Sequence, residues 1–344
     1  MRESIFSSSI RAFFVTLFAV IGFCIGLFLL LAIIGVISDT ATEPELTFTQ
    51  QVIANADGVR KAFATDTPVI LQLNINGIIG TDKLTMENFR QQLIESQEGH
   101  LKDKLVKGIL LQINSPGGTV TDSSNMYQAL KAYKEKYKIP VYAYIDGICA
   151  SGALYIACAS DKIFANETSM IGSVGVISPS FVNVYQLMEK IGVQSLTVYA
   201  GKEKDQLNPL RPWVPGEQDS IQDLINYYYK QFVNVVATNR PKMDKAKLVD
   251  DYGAKVFNPE ESQQYGYIDA TGYSRSEVLK HLLNEIGIKD DKYQVVELEK
   301  KSWLSELYSS SSNLLQGKIV HQIQYPSCLD PKLTNQFLYL YRPE

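Results

Sequence analysis

Hydrophobic positions divide the chain into an uncharged amino-terminal stretch and a longer region where strand-like and helix-like patterns alternate. Residues 12–38 are 27 consecutive positions without a charge, rich in Phe, Leu, Ile, Val and Gly. A helix of that length is about 40 Å long, whereas the hydrocarbon core of a bilayer is about 30 Å thick. The pattern therefore predicts a transmembrane helix over 12–38.

A cleavable secretory signal is the alternative interpretation of this stretch. The apolar part of such a signal is usually only about 7–15 residues long, and residues 38–41 are a poor cleavage site, so an uncleaved anchor is favoured. Arg2 and Arg11 precede the span and acidic residues follow it. The positive-inside rule then predicts that residues 1–11 are cytoplasmic and that everything after the span lies outside.

Short apolar runs alternate with helical periods over residues 67–288. Strands are predicted at 69–75, 106–113, 140–145, 162–165 and 196–200, and helices at 84–96, 123–137, 151–159, 219–238 and 276–285. This alternation implies right-handed crossovers and a mostly parallel sheet, which is an α/β fold. Residues 39–66 are interpreted as a juxtamembrane connector with one short helix around 48–63, and residues 289–344 as a C-terminal extension.

Composition and charge exclude some classes of function. The chain has 344 residues, 45% of them hydrophobic and 20% charged, which is enough to bury a core. Its net charge of −4 argues against a nucleic-acid binder, which would need a basic surface. The four cysteines have the spacing of neither a zinc site nor a disulfide framework, and a count of only three histidines argues against a His-rich metal site.

Two loops after predicted strands carry residues suited to acyl-transfer chemistry. Residues 114–118 read Asn-Ser-Pro-Gly-Gly, and glycines there can expose backbone N–H groups, as an oxyanion hole requires. Residues 147–153 form a small-residue turn from a strand into an apolar helix, with Ser151 at the turn. Taken alone, the first loop is better interpreted as an ordinary Pro-Gly turn, and a helix N-cap is the default interpretation of Ser151.

A nucleophilic serine needs a general base, and no histidine is well placed in the sequence. Lys202 and Lys204 follow a predicted strand. Lysine ordinarily has a pKa of about 10.4, and burial must lower that pKa before the amine can accept a proton near neutral pH. A solvated charge cluster is the alternative interpretation of these two lysines, and composition does not decide between the two.

Residues from about 69 to 240 resemble the signal peptide peptidase A family, also called protease IV. Members are membrane-anchored Ser/Lys peptidases of the Clp protease/crotonase-like fold. Five motifs carry the resemblance, and they occur in the family's order and at its spacing: Asn-Ser-Pro-Gly-Gly at 114–118, Ala-Ser-Gly at 150–152, Asp-Lys-Ile-Phe-Ala-Asn at 161–166, Gly-Ser-Val-Gly-Val at 172–176 and Gly-Lys-Glu-Lys-Asp at 201–205.

The resemblance implies roles for individual residues. Ser151 is implied to be the nucleophile, Lys204 the general base, and Ser173 a residue that helps to hold the lysine amine. Residues 67–288 would then form the Ser/Lys peptidase domain.

The resemblance also implies that the loop of Gly117 and Gly118 forms the oxyanion hole together with Gly152. Two positions depart from the family pattern. Asn114 stands where the family often has Asp, and Ala153 stands where it often has Gly, which puts the shape of the pocket in doubt but not the mechanism.

The expected function is that of a membrane-anchored serine endopeptidase that degrades signal peptides or other membrane-derived peptides without a metal, nucleotide or organic cofactor. Its expected location is the bacterial inner membrane, with the catalytic domain on the extracytoplasmic side. The resemblance further implies a ring-like homo-oligomer. Ser151 and Lys204 are 53 residues apart in the sequence, which allows a dyad within one chain or between neighbouring chains. A crotonase-type acyl-CoA enzyme and a non-catalytic membrane scaffold are the alternatives.

Overall fold

A computed structural model describes residues 5–39, 48–63, 67–81, 84–98, 101–102, 105–300 and 336–341. The chain divides into two compact units, Met1–Thr47 and Phe48–Glu344. Of the predicted C-terminal extension, residues 301–335 and 342–344 lie outside the described residues, as do residues 40–47 and 64–66 of the predicted connector.

The first unit contains helix α1, Ile5–Asp39. Within it, Arg11–Leu31 is a stretch of 21 residues that is long and apolar enough to cross a membrane. This stretch falls on the predicted span and agrees with its helical character. Length and composition alone fit a membrane anchor and a signal sequence equally.

The second unit contains eleven strands and eight α-helices among the described residues. The strands are β1 (Phe48–Ile53), β2 (Val69–Asn76), β3 (Val106–Ser115), β4 (Gly117–Thr119), β5 (Val141–Ala150), β6 (Lys162–Ala165), β7 (Met170–Gly172), β8 (Val256–Phe257), β9 (Ala270–Thr271), β10 (Gln294–Lys300) and β11 (Leu338–Leu340). The helices are α2 (Met86–Glu98), α3 (Val120–Tyr137), α4 (Gly152–Ala157), α5 (Tyr185–Ile191), α6 (Asp219–Asn239), α7 (Lys245–Lys247), α8 (Pro259–Tyr265) and α9 (Arg275–Glu285), with a π-helical turn at Leu248–Tyr252.

The main sheet of the described chain is mostly parallel. Its path runs β1-β10-β2-β3-β5-β6-β9, and β7 pairs with β5 and with β8. Only the β1–β10 and β7–β8 pairs of this sheet are antiparallel among the described strands. The apolar runs of β2, β3 and β5 are buried, as expected for parallel strands that are covered on both faces. The predicted mostly parallel α/β sheet is thus confirmed.

Parallel pairing brings the carboxyl ends of β3, β5 and β7 to one edge of the sheet. Ser115 lies opposite Cys149, and Ala150 lies opposite Gly172. The predicted Ser151 turn and the loop after β3 therefore meet at this edge.

Two predicted elements are wrong. The helix expected around 48–63 is instead strand β1, whose residues pair antiparallel with β10, followed by irregular chain at 54–63. The strand expected at 196–200 is irregular, and Leu196 and Val198 are 89% and 88% exposed. A short apolar run becomes a strand only where a neighbouring strand pairs with its backbone, and no described strand lies beside this run.

The folded unit also uses residues beyond the range 67–288. Strand β1 comes before that range, and β10 and β11 come after it. Strand β10 lies between β1 and β2 in the main sheet, while β11 forms a separate two-stranded sheet with β4.

Candidate active site

Ser151 lies at the sharp turn between β5 and α4. Its backbone has φ 56° and ψ −118°, which is an unusual conformation for a residue with a side chain. The residue is buried, with 1% of its surface exposed, and its hydroxyl makes no capping hydrogen bond to the helix. A simple N-cap role therefore does not explain this serine, whereas a strained strand-to-helix turn is typical of a nucleophile.

Ser173 lies beside Ser151 because β5 and β7 run parallel with Ala150 opposite Gly172. The backbone N–H of Ser151 donates to the Gly172 carbonyl at 2.9 Å. Ser173 is buried, also has a positive φ of 57°, and donates its own N–H to the Lys255 carbonyl at 2.7 Å. The structure therefore brings together the two serines that the sequence singled out.

The glycine loop packs against the same turn so closely that side chains are excluded. A Cβ added at Gly117, where φ is 98°, would overlap the Tyr339 carbonyl oxygen and lie 2.7 Å from the Gly152 nitrogen. A Cβ at Gly118 would overlap the Ile79 carbonyl oxygen. Glycine is required here by close backbone approach, which an ordinary Pro-Gly turn would not need.

Backbone hydrogen bonds distinguish the N–H groups around Ser151. The N–H of Gly117 donates to Ser115 Oγ at 3.1 Å, and that of Ser151 to Gly172. Gly152 begins α4, where N–H groups have no partner within the helix. Gly152 is therefore the best placed donor for an oxyanion, and Gly118, opposite Tyr339 in the β4–β11 pair, is the candidate donor of the glycine loop.

Lys204 lies in the long irregular segment between α5 and α6 and is exposed. Its backbone N–H donates to the Gly201 carbonyl at 3.3 Å. In the described part of the chain, no hydrogen bond or ion pair joins its ammonium group to Ser151 or Ser173. The neighbouring Lys202 is also exposed, with its Nζ 3.5 Å from the Glu203 carboxylate. The structure therefore shows no direct contact between the predicted base and the nucleophile among the described residues.

An ion-pair cluster just after Lys204 organises its loop. Arg211 Nε donates to Asp205 Oδ2 at 2.6 Å, and the same guanidinium binds the Glu217 carboxylate. Glu217 also accepts the backbone N–H groups of Leu207 and Val214 at 2.8 and 3.0 Å. Hydrogen bonds from Arg211 lower the pKa of Glu217 to about 2 and also lower the pKa of Asp205.

The end of the chain contributes to this site, which the sequence analysis did not anticipate. Strand β11 pairs antiparallel with β4, with Tyr339 opposite Gly118. The alternation of aromatic and leucine residues at 337–341 is typical of a strand and was the available signal. Ser115, which holds the Gly117 N–H, was likewise not singled out.

Two buried thiols lie close to the nucleophile turn. Burial raises the pKa of Cys149 well above its usual range and that of Cys158 to about 12, so both remain protonated at neutral pH. Within the described ranges, no three His, Cys, Asp or Glu side chains lie close enough to hold a metal ion. The chemistry that this arrangement can perform is attack by the Ser151 hydroxyl on a carbonyl whose oxygen lies against Gly118 and Gly152.

Two protein-family models match the sequence over this region. Residues 133–289 match Peptidase family S49, and residues 78–177 match Clp protease. Ser151 and Ser173 fall within both ranges, and Lys204 within the first. Together with the strand order, the second match confirms the predicted Clp-type fold.

Similar proteins carry peptidase names. A protein of Enterococcus faecium with the provisional name signal peptide peptidase SppA is 32% identical over 270 residues, which are 74% of this chain and 76% of that protein. The chloroplastic serine protease SPPA of Arabidopsis thaliana is 30% identical over 225 residues, 65% of this chain and 31% of that protein. Protease 4 of Haemophilus influenzae is 25% identical over 232 residues, 65% of this chain and 37% of that protein. Among solved structures, a ClpP1 variant from Listeria monocytogenes has a TM-score of 0.40 and 17% identity, covering 62% of this chain and 96% of that chain.

Proposed function

Because the chain belongs to peptidase family S49, we propose that it is a membrane-anchored serine endopeptidase in which Ser151 and Lys204 hydrolyse signal peptides or other membrane-derived peptides. The observation that carries the proposal is the Ser151 turn. A buried serine with a positive φ, whose hydroxyl caps nothing, lies against two glycine backbones that leave no room for a side chain.

The proposed reaction uses only residues of this chain and water. The Ser151 Oγ attacks the peptide carbonyl while the neutral Lys204 amine takes its proton, and the oxyanion accepts hydrogen bonds from the Gly118 and Gly152 N–H groups. Lys204 then gives the proton to the leaving amine as the C–N bond breaks. A water molecule, deprotonated by the same amine, hydrolyses the acyl-serine and restores the hydroxyl. Ser173, beside Ser151, would help to hold the amine.

The substrate class and location rest on two supports. The Enterococcus faecium relative is named for signal peptides, and α1 contains a stretch that could hold the protein at a bilayer. With α1 as an anchor and the folded unit outside the cytoplasm, the site would meet peptides released from the membrane. Protection of the folded unit from protease added to spheroplasts would contradict this topology.

The direct test of the catalytic serine is labelling by a fluorophosphonate together with cleavage of a quenched signal-peptide substrate. The native chain is expected to react and to cleave, and Ser151→Ala is expected to do neither. Ser178→Ala is the matched control, because Ser178 is outside the described serine turns and its hydroxyl donates only to the Pro179 carbonyl. Cleavage that persists in Ser151→Ala would contradict the proposal and favour a different chemistry on this fold.

Assembly is the second part of the proposal. The segment before Lys204 exposes large apolar side chains, including Val182 at 68%, Ile191 at 66%, Leu196 at 89% and Val198 at 88%. A segment in which many large apolar side chains are exposed is typical of a protein–protein interface. We propose that this segment packs against a second copy of the chain, so that Lys204 of one copy serves Ser151 of its neighbour.

A mixing experiment tests the shared site. Ser151→Ala and Lys204→Ala chains, each inactive alone, are co-expressed with different tags and the mixed oligomer is purified. If the dyad joins neighbouring chains, random mixing leaves about one quarter of the sites intact, and activity returns to about that fraction. A verified mixed oligomer without activity would place both residues in one chain.

A further inference from the structure

Strand β5 is irregular just before the nucleophile, where it contains two residues more than its neighbour β3. After the Ile113–Ile145 pair, Asn114 alone faces residues 146–148 before regular pairing resumes. These three residues are called the β5 bulge here. A bulge bends a strand and changes the direction of the side chains that follow it, and bulges are common beside active sites.

The β5 bulge is also the place where β5 changes its partner on the other side. Up to Ile145 the strand pairs with β6, and from Ile148 it pairs with β7. The pairing with β7 places the nucleophile, because the Ser151 N–H donates to the carbonyl of Gly172 at the end of β7. A strand advances about 3.3 Å per residue, so without the two additional residues Ser151 would lie about 7 Å further along the strand direction.

On the β3 side, the Asn114 side chain holds the bulge. Its Oδ1 accepts the Ile148 N–H at 3.1 Å. A Cβ at Gly147, where φ is 125°, would lie 2.6 Å from that same oxygen. Glycine is therefore needed at 147 both for the backbone conformation and for room beside the amide group. The bulge and the asparagine side chain fit each other closely.

On the opposite side, a buried serine between β6 and β7 holds the bulge. Ser169 is 2% exposed, and its Oγ accepts the Gly147 N–H at 3.4 Å. The same Oγ lies 3.0 Å from the Ile145 carbonyl oxygen and 2.8 Å from Asn166 Oδ1, either of which can accept its proton. Asn166 Nδ2 donates to Asp146 Oδ1 at 2.9 Å. Side chains from both sides thus bind the consecutive backbone N–H groups of the bulge, which buried polar groups require.

We propose that Asn114 and Ser169 are positioning residues, which hold the β5 bulge from its two sides and thereby place the Ser151 hydroxyl at the glycine loop. This inference rests on the proposed peptidase function and adds two side chains on which the rate of attack by the serine depends. Neither side chain has to touch the substrate or change its protonation. The effect on the rate should therefore follow the oxygen acceptor at 114 and the hydroxyl at 169.

Removing the acceptor is the first test. Asn114→Ala should reduce kcat of the full chain in detergent at least tenfold with KM nearly unchanged, because a small displacement of a reacting group costs a large factor in rate. Asn114→Asp keeps an oxygen acceptor and should return kcat to within about twofold of the native value. Asn76→Ala is the matched control, because Asn76 lies opposite Asn114 on β2 and is also exposed. Native kcat in Asn114→Ala would overturn the role of Asn114.

The rate of fluorophosphonate labelling distinguishes a displaced nucleophile from a partly unfolded chain. Ser169→Ala should react with a rate constant at least tenfold lower, yet reach the same final extent of labelling as the native chain. Ser178→Ala, the control used above, should react as the native chain does. A lower final extent with a native rate constant would mean that Ser169→Ala only unfolds part of the sample, and the positioning role would be wrong.

Hydrogen–deuterium exchange distinguishes this proposal from the catalytic one. The amides of residues 146–149 should be protected in the native chain and in Asn114→Asp, and should exchange at least tenfold faster in Asn114→Ala and Ser169→Ala. Faster exchange with unchanged kcat and labelling would overturn the positioning role and leave the peptidase function intact. Unchanged exchange in both alanine variants would show that these side chains do not hold the bulge. A native chain that neither labels nor cleaves would overturn the peptidase function, whatever the exchange shows.

Discussion

The Ser151 turn and the Lys204 loop are proposed to serve one reaction, yet they are built in opposite ways. Ser151 is buried at the end of a central strand, and its backbone is tied to β7 through the Gly172 carbonyl. Lys204 is exposed on an irregular segment. The conformation of that segment is held by the hydrogen bonds of Arg211 with Asp205 and Glu217. The nucleophile is thus positioned by the sheet, whereas the lysine is positioned by a self-contained loop.

The two residues depend on the structure in different ways: the serine depends on it for its position, and the lysine also for its removal from water. A serine needs an accurate position, which the parallel strands β3, β5 and β7 supply. A lysine base needs removal from water as well, because its charged form is the one that water favours. A loop that is ordered yet exposed can meet that need when another surface covers it, and the apolar residues before Lys204 are suited to such a contact.

The largest expected effect comes from removing either reacting side chain. Ser151→Ala and Lys204→Ala should each reduce kcat more than about 1,000-fold. Lys204→Arg should be equally inactive, since guanidinium does not deprotonate near neutral pH. Lys202→Ala is the matched control and should retain activity in the same peptide assay. If Lys202→Ala is inactive and Lys204→Ala active, the base is the other lysine.

A smaller effect is expected in the glycine loop. Gly118→Ala must displace the backbone at Ile79 and should reduce kcat by about 100-fold, the usual cost of losing an oxyanion donor. Gly108→Ala is the control, because the three atoms nearest to the added Cβ belong to the Leu282 side chain at 3.2 Å and Gly108 lies far along β3 from the site. Steady-state kinetics and thermal melting distinguish a catalytic defect from unfolding. Equal kcat in the two variants would exclude Gly118 from the oxyanion hole.

Charge placed on the exposed apolar segment should have an intermediate effect on activity. Val198→Asp should change the free energy of unfolding of the single chain little, because the side chain is 88% exposed. The substitution should dissociate the proposed oligomer in analytical ultracentrifugation and reduce activity about tenfold at low protein concentration, with recovery at high concentration. Val59→Asp, at a position that is 48% exposed outside this segment, should change neither. An unchanged oligomer would show that the segment is not the interface.

The smallest expected effect is the one that pH has on the Arg211 cluster and on activity. Arg211 lowers the pKa of Glu217 from 4.5 to about 2, so the stability that this pair contributes is present above about pH 4.5 and lost as the pH falls toward 2. Between about pH 5 and 9 the cluster is unchanged, and activity should rise with pH because only a neutral amine accepts the serine proton.

Arg211→Ala tests whether the cluster and the base act separately. The substitution should lower the plateau of the pH–rate profile severalfold by loosening the loop, with little change in the pH at half-maximal activity. A shift of that midpoint by a full pH unit would mean that Arg211 acts on the base directly.

The sequence predicted the elements that follow from local pattern. The buried apolar runs predicted β2, β3 and β6 close to their observed bounds, and the helical periodicity of apolar residues predicted α6 and α9. The convergence of Ser151 and the Gly117 loop was also predictable, because both follow parallel strands and such strands end at one edge. The predicted roles of Ser151, Lys204, Ser173 and the three glycines remain predictions.

Pairings between distant segments were not predictable in the same way. Strand β1 has mixed polar and apolar residues that fit a helix as well as a strand, and its partner β10 lies more than 200 residues later in the sequence. The run around Leu196 has strand propensity but no described strand beside it. In both cases the deciding interaction is a backbone hydrogen-bond partner, which propensity does not specify.

The position of β10 between β1 and β2 has a consequence for how the protein is made. A growing chain completes β2 and β3 early, but the second edge of β2 stays unpaired until residue 300 has been synthesised, and the β1–β10 pair joins residues 48 and 300. Contacts of such sequence separation form late, and an unpaired strand edge invites pairing with other chains. A chain that stops before β10 would therefore display an open sheet edge that molecular chaperones can recognise, and β10 closes that edge.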